Sequence, residues 1–93
     1  MIIEQTNHFK RSAKKLKKKS KLFLDEAVKE IINNPFIGTL KIGDLAGVRV
    51  YKYKVISSQY LLAYFYNETI KKITLLEIGF HENFYRDLKK QIK

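Results

Sequence analysis

The spacing of hydrophobic residues predicts helices in the first part of the chain. Phe9, Ala13 and Leu16 recur at positions i, i+4 and i+7, which predicts a helix of about three turns with a narrow apolar stripe. Asn7 is the expected N-cap of this helix. The partly β-branched run at residues 2–6 predicts a short first strand before it.

A second helix is expected between Ser20, which can cap it, and Pro35, which ends it. Its apolar side consists of Leu22, Phe23, Ala27, Val28, Ile31 and Ile32. Because the connection to the first helix is short, we expect the two helices to form an antiparallel hairpin on one face of a sheet. Residues 36–46 contain glycines and no clear period, which predicts a loop.

The second half of the chain has the patterns of strands and ends in one more helix. Strands are expected at 47–56, 60–66 and 72–79, with turns at 57–59 and 67–69. The two later strands are apolar on both sides, so both faces of the sheet need a cover. A helix over residues 82–92 can cover the second face through Phe84, Leu88 and Ile92. We therefore predict one α+β domain spanning 1–93, with a twisted, mainly antiparallel sheet of about four strands, an N-terminal helical hairpin and a short C-terminal helix.

The first of these strands has an unusual charge pattern. Alternation places Lys52 and Lys54 on one face, and Arg49, Tyr51 and Tyr53 on the other. Two ammonium groups about 7 Å apart along a strand repel each other, and a phosphate backbone would relieve that repulsion. The alternative is that the lysines only keep the strand soluble.

The charge of the whole chain points in the same direction. A formal net charge of +10 on a chain that is 45% hydrophobic indicates a folded, basic protein whose partner is nucleic acid, an acidic protein or an anionic membrane surface. The cations are densest at Lys10, Arg11, Lys14, Lys15, Lys17, Lys18, Lys19 and Lys21. A phosphate backbone would offset the repulsion within such a helix, and a solvated face is the alternative.

Several classes of protein are disfavoured by composition. The chain has no cysteine, which excludes disulfides and thiolate metal sites, and its two histidines supply few metal ligands, so no metal or cofactor is expected. The first residues lack the order of a signal peptide, and no apolar run approaches the roughly 18 residues of a membrane span. We therefore expect a cytoplasmic protein with no membrane partner.

The corner after the last predicted strand carries candidate chemistry. RNA cleavage without a metal needs removal of the 2′-hydroxyl proton, stabilisation of charge on the phosphorane and protonation of the leaving 5′-oxygen. His81 can act as the acid or base, and Tyr85 can stack on an unpaired base. The cations available for charge stabilisation are Lys52, Lys54, Arg49 and Arg86. The ordinary alternatives are a surface histidine and a packing tyrosine.

Glu77 is a charged residue in an otherwise apolar strand. A buried charge is costly unless it is paired, so we expect a partner among the basic residues. A structural ion pair is favoured over a catalytic base. No role is predicted for His8.

Four segments together resemble the RelE/ParE superfamily of type II toxins. They are the Phe-x-Arg-x-x-Lys-Lys-Leu pattern at 9–16, the strand with alternating lysines at 45–55, the apolar strand at 60–64 and the Gly-Phe-His-Glu-Asn-Phe-Tyr corner at 79–85. The resemblance covers nearly the whole chain and implies a small RelE-like α/β fold. It also implies an acidic cognate antitoxin that wraps the basic surface.

The resemblance leaves two activities open. RelE-like members enter the ribosomal A site and cut mRNA without a metal, whereas ParE-like members poison DNA gyrase and need no nuclease site. The RelE-like lysine pair falls on Lys52 and Lys54, the histidine on His81 and the aromatic on Tyr85, but an expected arginine is replaced by Leu61. We expect a ribosome-dependent mRNA endoribonuclease; the alternatives are a gyrase inhibitor and a non-catalytic basic RNA-binding module.

Overall fold

The computed structural model describes residues 1–91, and at His81 and Glu82 it describes the backbone without the side chains. In chain order the elements are β1 (Ile2–Gln5), α1 (Asn7–Lys14), α2 (Lys18–Asn33), β2 (Thr39–Leu40), a 3-10 turn (Gly43–Leu45), β3 (Arg49–Val55), β4 (Ser58–Asn67), β5 (Lys72–Phe80) and α3 (His81–Gln91). The predicted α+β class is confirmed.

A single sheet of five strands, in the order β1-β5-β4-β3-β2, organises the described residues. Strand β1 runs parallel to β5, and the other neighbouring pairs are antiparallel, as predicted for most of the sheet. The sheet has one strand more than expected because Thr39 and Leu40 of β2 pair with Val50 and Arg49 of β3. A two-residue strand is too short to leave a periodic signal in the sequence.

The sheet separates two hydrophobic cores. On one face, Phe9 of α1 and Ile31 of α2 pack on the buried residues of β4 and β5. On the other face, Phe84 and Leu88 of α3 pack on β4 and β5, in a cluster that also includes Val50 of β3 and Leu45 of the 3-10 turn. The central strand β4 is therefore buried on both sides, which explains its continuous apolar pattern. The third apolar residue predicted for α3, Ile92, lies outside the described residues.

Both N-terminal helices begin differently from the prediction. The cap of α1 is Thr6 and not Asn7, because the Thr6 hydroxyl accepts a 3.0 Å hydrogen bond from the backbone N–H of Phe9. Helix α2 begins before Ser20, whose hydroxyl instead forms a 3.1 Å hydrogen bond with the Tyr60 hydroxyl. Ser20 therefore ties α2 to the sheet rather than capping the helix.

The two helices cover the same face of the sheet but stand apart from each other. Helix α1 packs against β5 and α2 against β3, and each contacts the sheet more than it contacts the other helix. A groove of about 660 Å³ remains between them, with an apolar floor and three lysines among its lining residues (Lys14, Lys21 and Lys29). None of the described helices is both long enough and apolar enough to cross a lipid bilayer.

Candidate functional site

Lys52 and Lys54 lie on an open strip of the sheet. Both are exposed, whereas Val50 on the same face of β3 is buried in the second core. The strip is open because α3 packs on β4 and β5 and leaves this end of β3 uncovered. Among the described residues neither lysine has an ion-pair partner. The two cations are therefore available to an external anion.

The corner between β5 and α3 lies at the same end of the sheet as the lysines. Lys52 pairs with Leu61 of β4, and Leu61 pairs with Gly79 of β5, so the three residues lie abreast. Two strand spacings place Gly79 about 10 Å from Lys52. The first residue of α3, His81, follows two positions later, but its side chain lies outside the described residues. The backbone thus brings the corner near the lysines, and the role of His81 stays a prediction.

Leu61 occupies the position where the sequence resemblance led us to expect an arginine. It is fully buried in the second core, in the same cluster as Phe84. This position of β4 therefore supplies no cation to the site. Any charge stabilisation beyond the two lysines must come from other elements.

Tyr85 packs beside a lysine that the sequence analysis did not single out. Its ring meets Phe84 edge-on, with centroids 5.1 Å apart, and the Nζ atom of Lys41 lies 5.5 Å from its centroid. Lys41 is held next to β3 because its N–H donates to the Val48 carbonyl over 2.8 Å. Val48 precedes Lys52 by about 13 Å of strand, so Lys41 extends the basic strip. Only the pairing of β2 with β3 reveals this, because Lys41 falls in a predicted loop.

The two candidate arginines have different surroundings. Arg49 lies on the face opposite the lysines, where its guanidinium donates to the carbonyls of Gly38 at 2.9 Å and Phe36 at 3.3 Å and covers the Phe36 ring. It fastens the loop before β2 and is not brought together with Lys52. Arg86 is exposed on α3, with its Nε atom 3.6 Å from the Asp87 carboxylate.

The cation-rich residues from Lys10 to Lys21, here called the basic segment, form a second positive surface on the sheet face opposite Lys52 and Lys54. Lys10, Arg11 and Lys14 belong to α1, Lys15 and Lys17 to the connection, and Lys18 to α2. The segment is therefore not one continuous helix. Lys17 and Lys19 also line a pocket of about 270 Å³ beside the β3–β4 turn. Lys54 lies in β3 just before this turn, on the other face of the sheet. The turn thus has cations on both sides.

Glu77 has the basic partner that was expected, and the partner is His8. Glu77 is only 3% exposed; its Oε2 atom contacts the His8 Nε2 atom, and its Oε1 atom accepts a 2.9 Å hydrogen bond from the N–H of Ile78. The sequence analysis assigned no role to His8, because the two residues are 69 positions apart and no local pattern links them. Among the side chains that the structure describes, no three from His, Asp or Glu come together as metal ligands.

A row of stacked aromatic rings crosses the sheet on the face of α2. Tyr51, Tyr53, Tyr60 and Phe80 follow one another with centroid separations of 6.0, 5.7 and 4.5 Å. The Tyr53 hydroxyl is buried without a hydrogen-bond partner in the described part of the chain. Burial raises the pKa of Tyr53, and the neighbouring phenols of Tyr60 and Tyr51 raise it further.

Comparison with known proteins identifies a family of bacterial toxins. Residues 3–89 match the family model of the ParE-like toxin of type II bacterial toxin-antitoxin systems. None of the curated sequences compared with the chain matches it significantly.

Solved toxin structures have a similar fold. The toxin-antitoxin complex RelBE2 from Mycobacterium tuberculosis matches with a TM-score of 0.75 and 18% identity over 86% of this chain and 96% of that chain. The isolated RelE toxin of E. coli matches with a TM-score of 0.68 and 21% identity over 99% and 98% of the two chains. The YoeB/ParE toxin from Agrobacterium tumefaciens matches with a TM-score of 0.70 and 14% identity over 87% and 99%. At these identities the likeness concerns the fold.

Proposed function

Because this chain belongs to the ParE-like toxin family of type II bacterial toxin-antitoxin systems, we propose that it is a ribosome-dependent endoribonuclease that cleaves mRNA without a metal and inhibits translation. The observation that carries this proposal is the pair of exposed lysines, Lys52 and Lys54, on an open strip that ends at the β5–α3 corner. A gyrase inhibitor without chemistry has no need of such a pair.

In the proposed reaction the 2′-oxygen of one nucleotide attacks the adjacent phosphorus, and the bond from phosphorus to the 5′-oxygen breaks. The products are a 2′,3′-cyclic phosphate and a free 5′-hydroxyl. His81 moves a proton as general acid or base, and Lys52 and Lys54 stabilise the negative charge of the phosphorane and share proton transfer. Tyr85 stacks on a base next to the cut.

The other cations hold the toxin on the ribosome. Arg86 is exposed on α3, where a phosphate can compete with Asp87 for its guanidinium, and the basic surface of α1 and α2 suits ribosomal RNA. Arg49 contributes indirectly, because its guanidinium is already bound to two backbone carbonyls.

The cognate antitoxin is the second proposed partner. Toxins of similar fold have been solved as toxin-antitoxin complexes. The groove between α1 and α2 combines an apolar floor, which includes Phe9 and Leu24, with the lysines Lys14, Lys21 and Lys29. Such a groove suits an acidic segment with one apolar face.

A second candidate function is inhibition of DNA gyrase by binding alone. Two observations favour it: the matching family model is the ParE-like one, and the buried Leu61 leaves the site without one expected cation. This candidate predicts growth arrest and DNA damage with intact mRNA.

The deciding experiment is primer extension on a reporter mRNA during brief induction of the toxin. Wild type is expected to produce discrete cuts within translated codons. Lys52→Ala should lower cleavage by about 100-fold or more, because it removes a preorganised cation at the developing charge. His81→Ala should also abolish cleavage, and both variants should keep antitoxin binding.

The matched control is Lys90→Ala, which removes an exposed lysine from the last turn of α3. It should cleave like wild type. Growth arrest by wild type with intact mRNA would refute the nuclease and favour the gyrase candidate.

A further inference from the structure

We propose that the pocket between α1, β5 and α3 binds one unpaired nucleobase that carries an exocyclic amino group, with guanine bound best. This inference deepens the proposed function, on which it rests, because the base would belong to the mRNA being cut. It assigns a sequence preference to a part of the molecule distinct from the lysine strip.

The pocket is small and is built from three elements. Its volume is about 210 Å³, and its lining includes Ser12 of α1, Glu77, Gly79 and Phe80 of β5, and Asn83 and Asp87 of α3. Sites for drug-sized ligands typically measure about 300–1,000 Å³. The size therefore suits a single planar ring system.

One wall offers an aromatic surface. The Phe80 ring stacks on Tyr60 with centroids 4.5 Å apart, yet Phe80 remains 54% exposed. The ring is thus packed on Tyr60 while much of the residue stays exposed, as a stacking surface for a base requires. Gly79 also lines the pocket, and a Cβ added there would make an ordinary contact with Phe84 at 3.9 Å.

The other lining residues include hydrogen-bond acceptors. Glu77 is held in place by His8 and by the N–H of Ile78, and Asp87 lines the same cavity from α3. In the part of the chain that the structure describes, the side chains of Ser12 and Asn83 make no hydrogen bond. These polar groups are free to meet a ligand.

The charge of the pocket selects the ligand. The chain has 19 Lys and Arg residues and 9 Asp and Glu residues, yet two of the carboxylates line this one small cavity. Glu77 is paired with His8, and Asp87 lies 3.6 Å from Arg86. The lone pairs that these contacts leave on the two carboxylates can accept hydrogen bonds from amino groups. Guanine offers adjacent ring N–H and amino donors, adenine and cytosine offer an amino group, and uracil offers one N–H flanked by carbonyl oxygens. We therefore expect the pocket to bind guanine most tightly and uracil most weakly.

The location fits a base next to the cut. Gly79 lies abreast of Leu61 and Lys52, about 10 Å from the lysine strand. Gly79 also lines the pocket, so the pocket adjoins the strand residue that lies abreast of Lys52. An RNA strand whose phosphate is held by Lys52 can therefore place a neighbouring base in this pocket.

The direct test is an NMR titration of the full chain with GMP, AMP, CMP and UMP in separate samples. We expect GMP to shift the Gly79 backbone and Asn83 side-chain amide signals, with a dissociation constant at least tenfold below that of UMP. Equal affinity for the two nucleotides, or shifts confined to the lysine strip, would overturn the inference.

Variants separate the pocket from general charge effects. Asp87→Asn and Asn83→Ala should each remove the preference for GMP over UMP. Asp44→Asn removes the same charge beside Lys89, away from the pocket, and should keep the preference. A preference that survives in both pocket variants would refute the assignment.

Mapping of mRNA cuts distinguishes the failure of this inference from the failure of the proposed function. If wild type cuts mRNA but nucleotide titration shows no preference, the pocket assignment fails and the nuclease stands. If wild type leaves mRNA intact, the nuclease fails, and the same titration still decides whether the pocket binds a base. With both correct, Asp87→Asn should shift the distribution of cut sites.

Discussion

Two buried tyrosines show how much the contribution of one side chain depends on its partners. The Tyr64 hydroxyl donates to the Pro35 carbonyl over 2.7 Å and accepts from the N–H of Gly38 over 3.0 Å. The Tyr53 hydroxyl is buried with no partner among the described residues. A buried hydroxyl without a hydrogen bond destabilises the fold, whereas a paired one holds the loop before β2.

We therefore expect opposite effects from the same substitution. Tyr64→Phe should lower the free energy of unfolding by about 1 to 3 kcal/mol, because it leaves buried backbone groups unpaired. Tyr53→Phe should leave it unchanged or raise it by up to about 1 kcal/mol. Urea unfolding of both variants checks this. A larger loss for Tyr53→Phe than for Tyr64→Phe would contradict the assignment.

The pKa of Tyr53 adds a prediction for alkaline pH. Burial raises the pKa of Tyr53 above that of the unfolded chain, so the folded state favours the neutral phenol. The resulting stability is complete below the unfolded pKa of about 10 and is lost as pH rises beyond it. Above about pH 10, the free energy of unfolding should therefore fall less steeply with pH in Tyr53→Phe than in wild type. Identical pH profiles would contradict this.

At the scale of single residues, the sequence predicts what alternation controls and little else. Alternation separated Lys52 and Lys54 from Arg49 correctly, because strand geometry alone decides it. The partner of Glu77 was predicted only as a basic residue, because His8 reaches it through tertiary packing. Lys41 joins the basic strip only after β2 pairs with β3.

At the scale of elements, the β3–β4 turn holds a strained residue. Val55 pairs with Ser58, so the turn consists of Ile56 and Ser57, and Ile56 has a φ of 60°. This left-handed conformation is unfavourable for a β-branched residue and natural for glycine. The turn was predicted at 57–59, too far along the chain, because isoleucine is not a typical turn residue.

Relief of this strain should stabilise the hairpin. Ile56→Gly is expected to raise the free energy of unfolding by about 1 kcal/mol, because Ile56 is 76% exposed and little burial is lost. The control is Ile70→Gly, at an exposed position of the β4–β5 turn for which the structure records no positive φ. Thermal unfolding of both variants provides the measurement. A loss of stability in both would refute the strain.

The long elements were predictable because their periodicity extends over many residues. Strands β3, β4 and β5 and helices α2 and α3 appear near their expected positions. The first residues of α1 and α2 could not be predicted, because Thr6, Asn7 and Ser20 are all good caps and tertiary contacts decide between them. The partner of β1 also depends on the whole fold.

At the scale of the whole molecule, cations occupy two opposite faces. The lysine strip lies on the face of α3, and the basic segment lies on the face of α1 and α2. With a net charge of +10, the chain is expected to contact RNA phosphates on both sides. Binding to RNA should therefore depend steeply on salt.

We expect the affinity for ribosomes to fall by at least about 1,000-fold between about 50 and 200 mM salt. The triple variant Lys14→Gln/Lys15→Gln/Lys18→Gln should flatten the plot of log affinity against log salt by about 0.7 to 0.9 for each phosphate that it no longer neutralises. Binding assays over a salt series test this. Salt-independent binding would show that apolar contacts dominate.

The parallel pairing of β1 with β5 has a consequence for synthesis of the chain. Ile2 pairs with Lys72, so the first strand must wait for a partner that is translated 70 residues later. At typical bacterial elongation rates this delay lasts roughly 4 to 14 s. During that time α1 and α2 exist without the sheet that buries Phe9 and Ile31. The nascent toxin thus passes through a partly folded state with exposed apolar residues, to which a chaperone or newly synthesised antitoxin can bind.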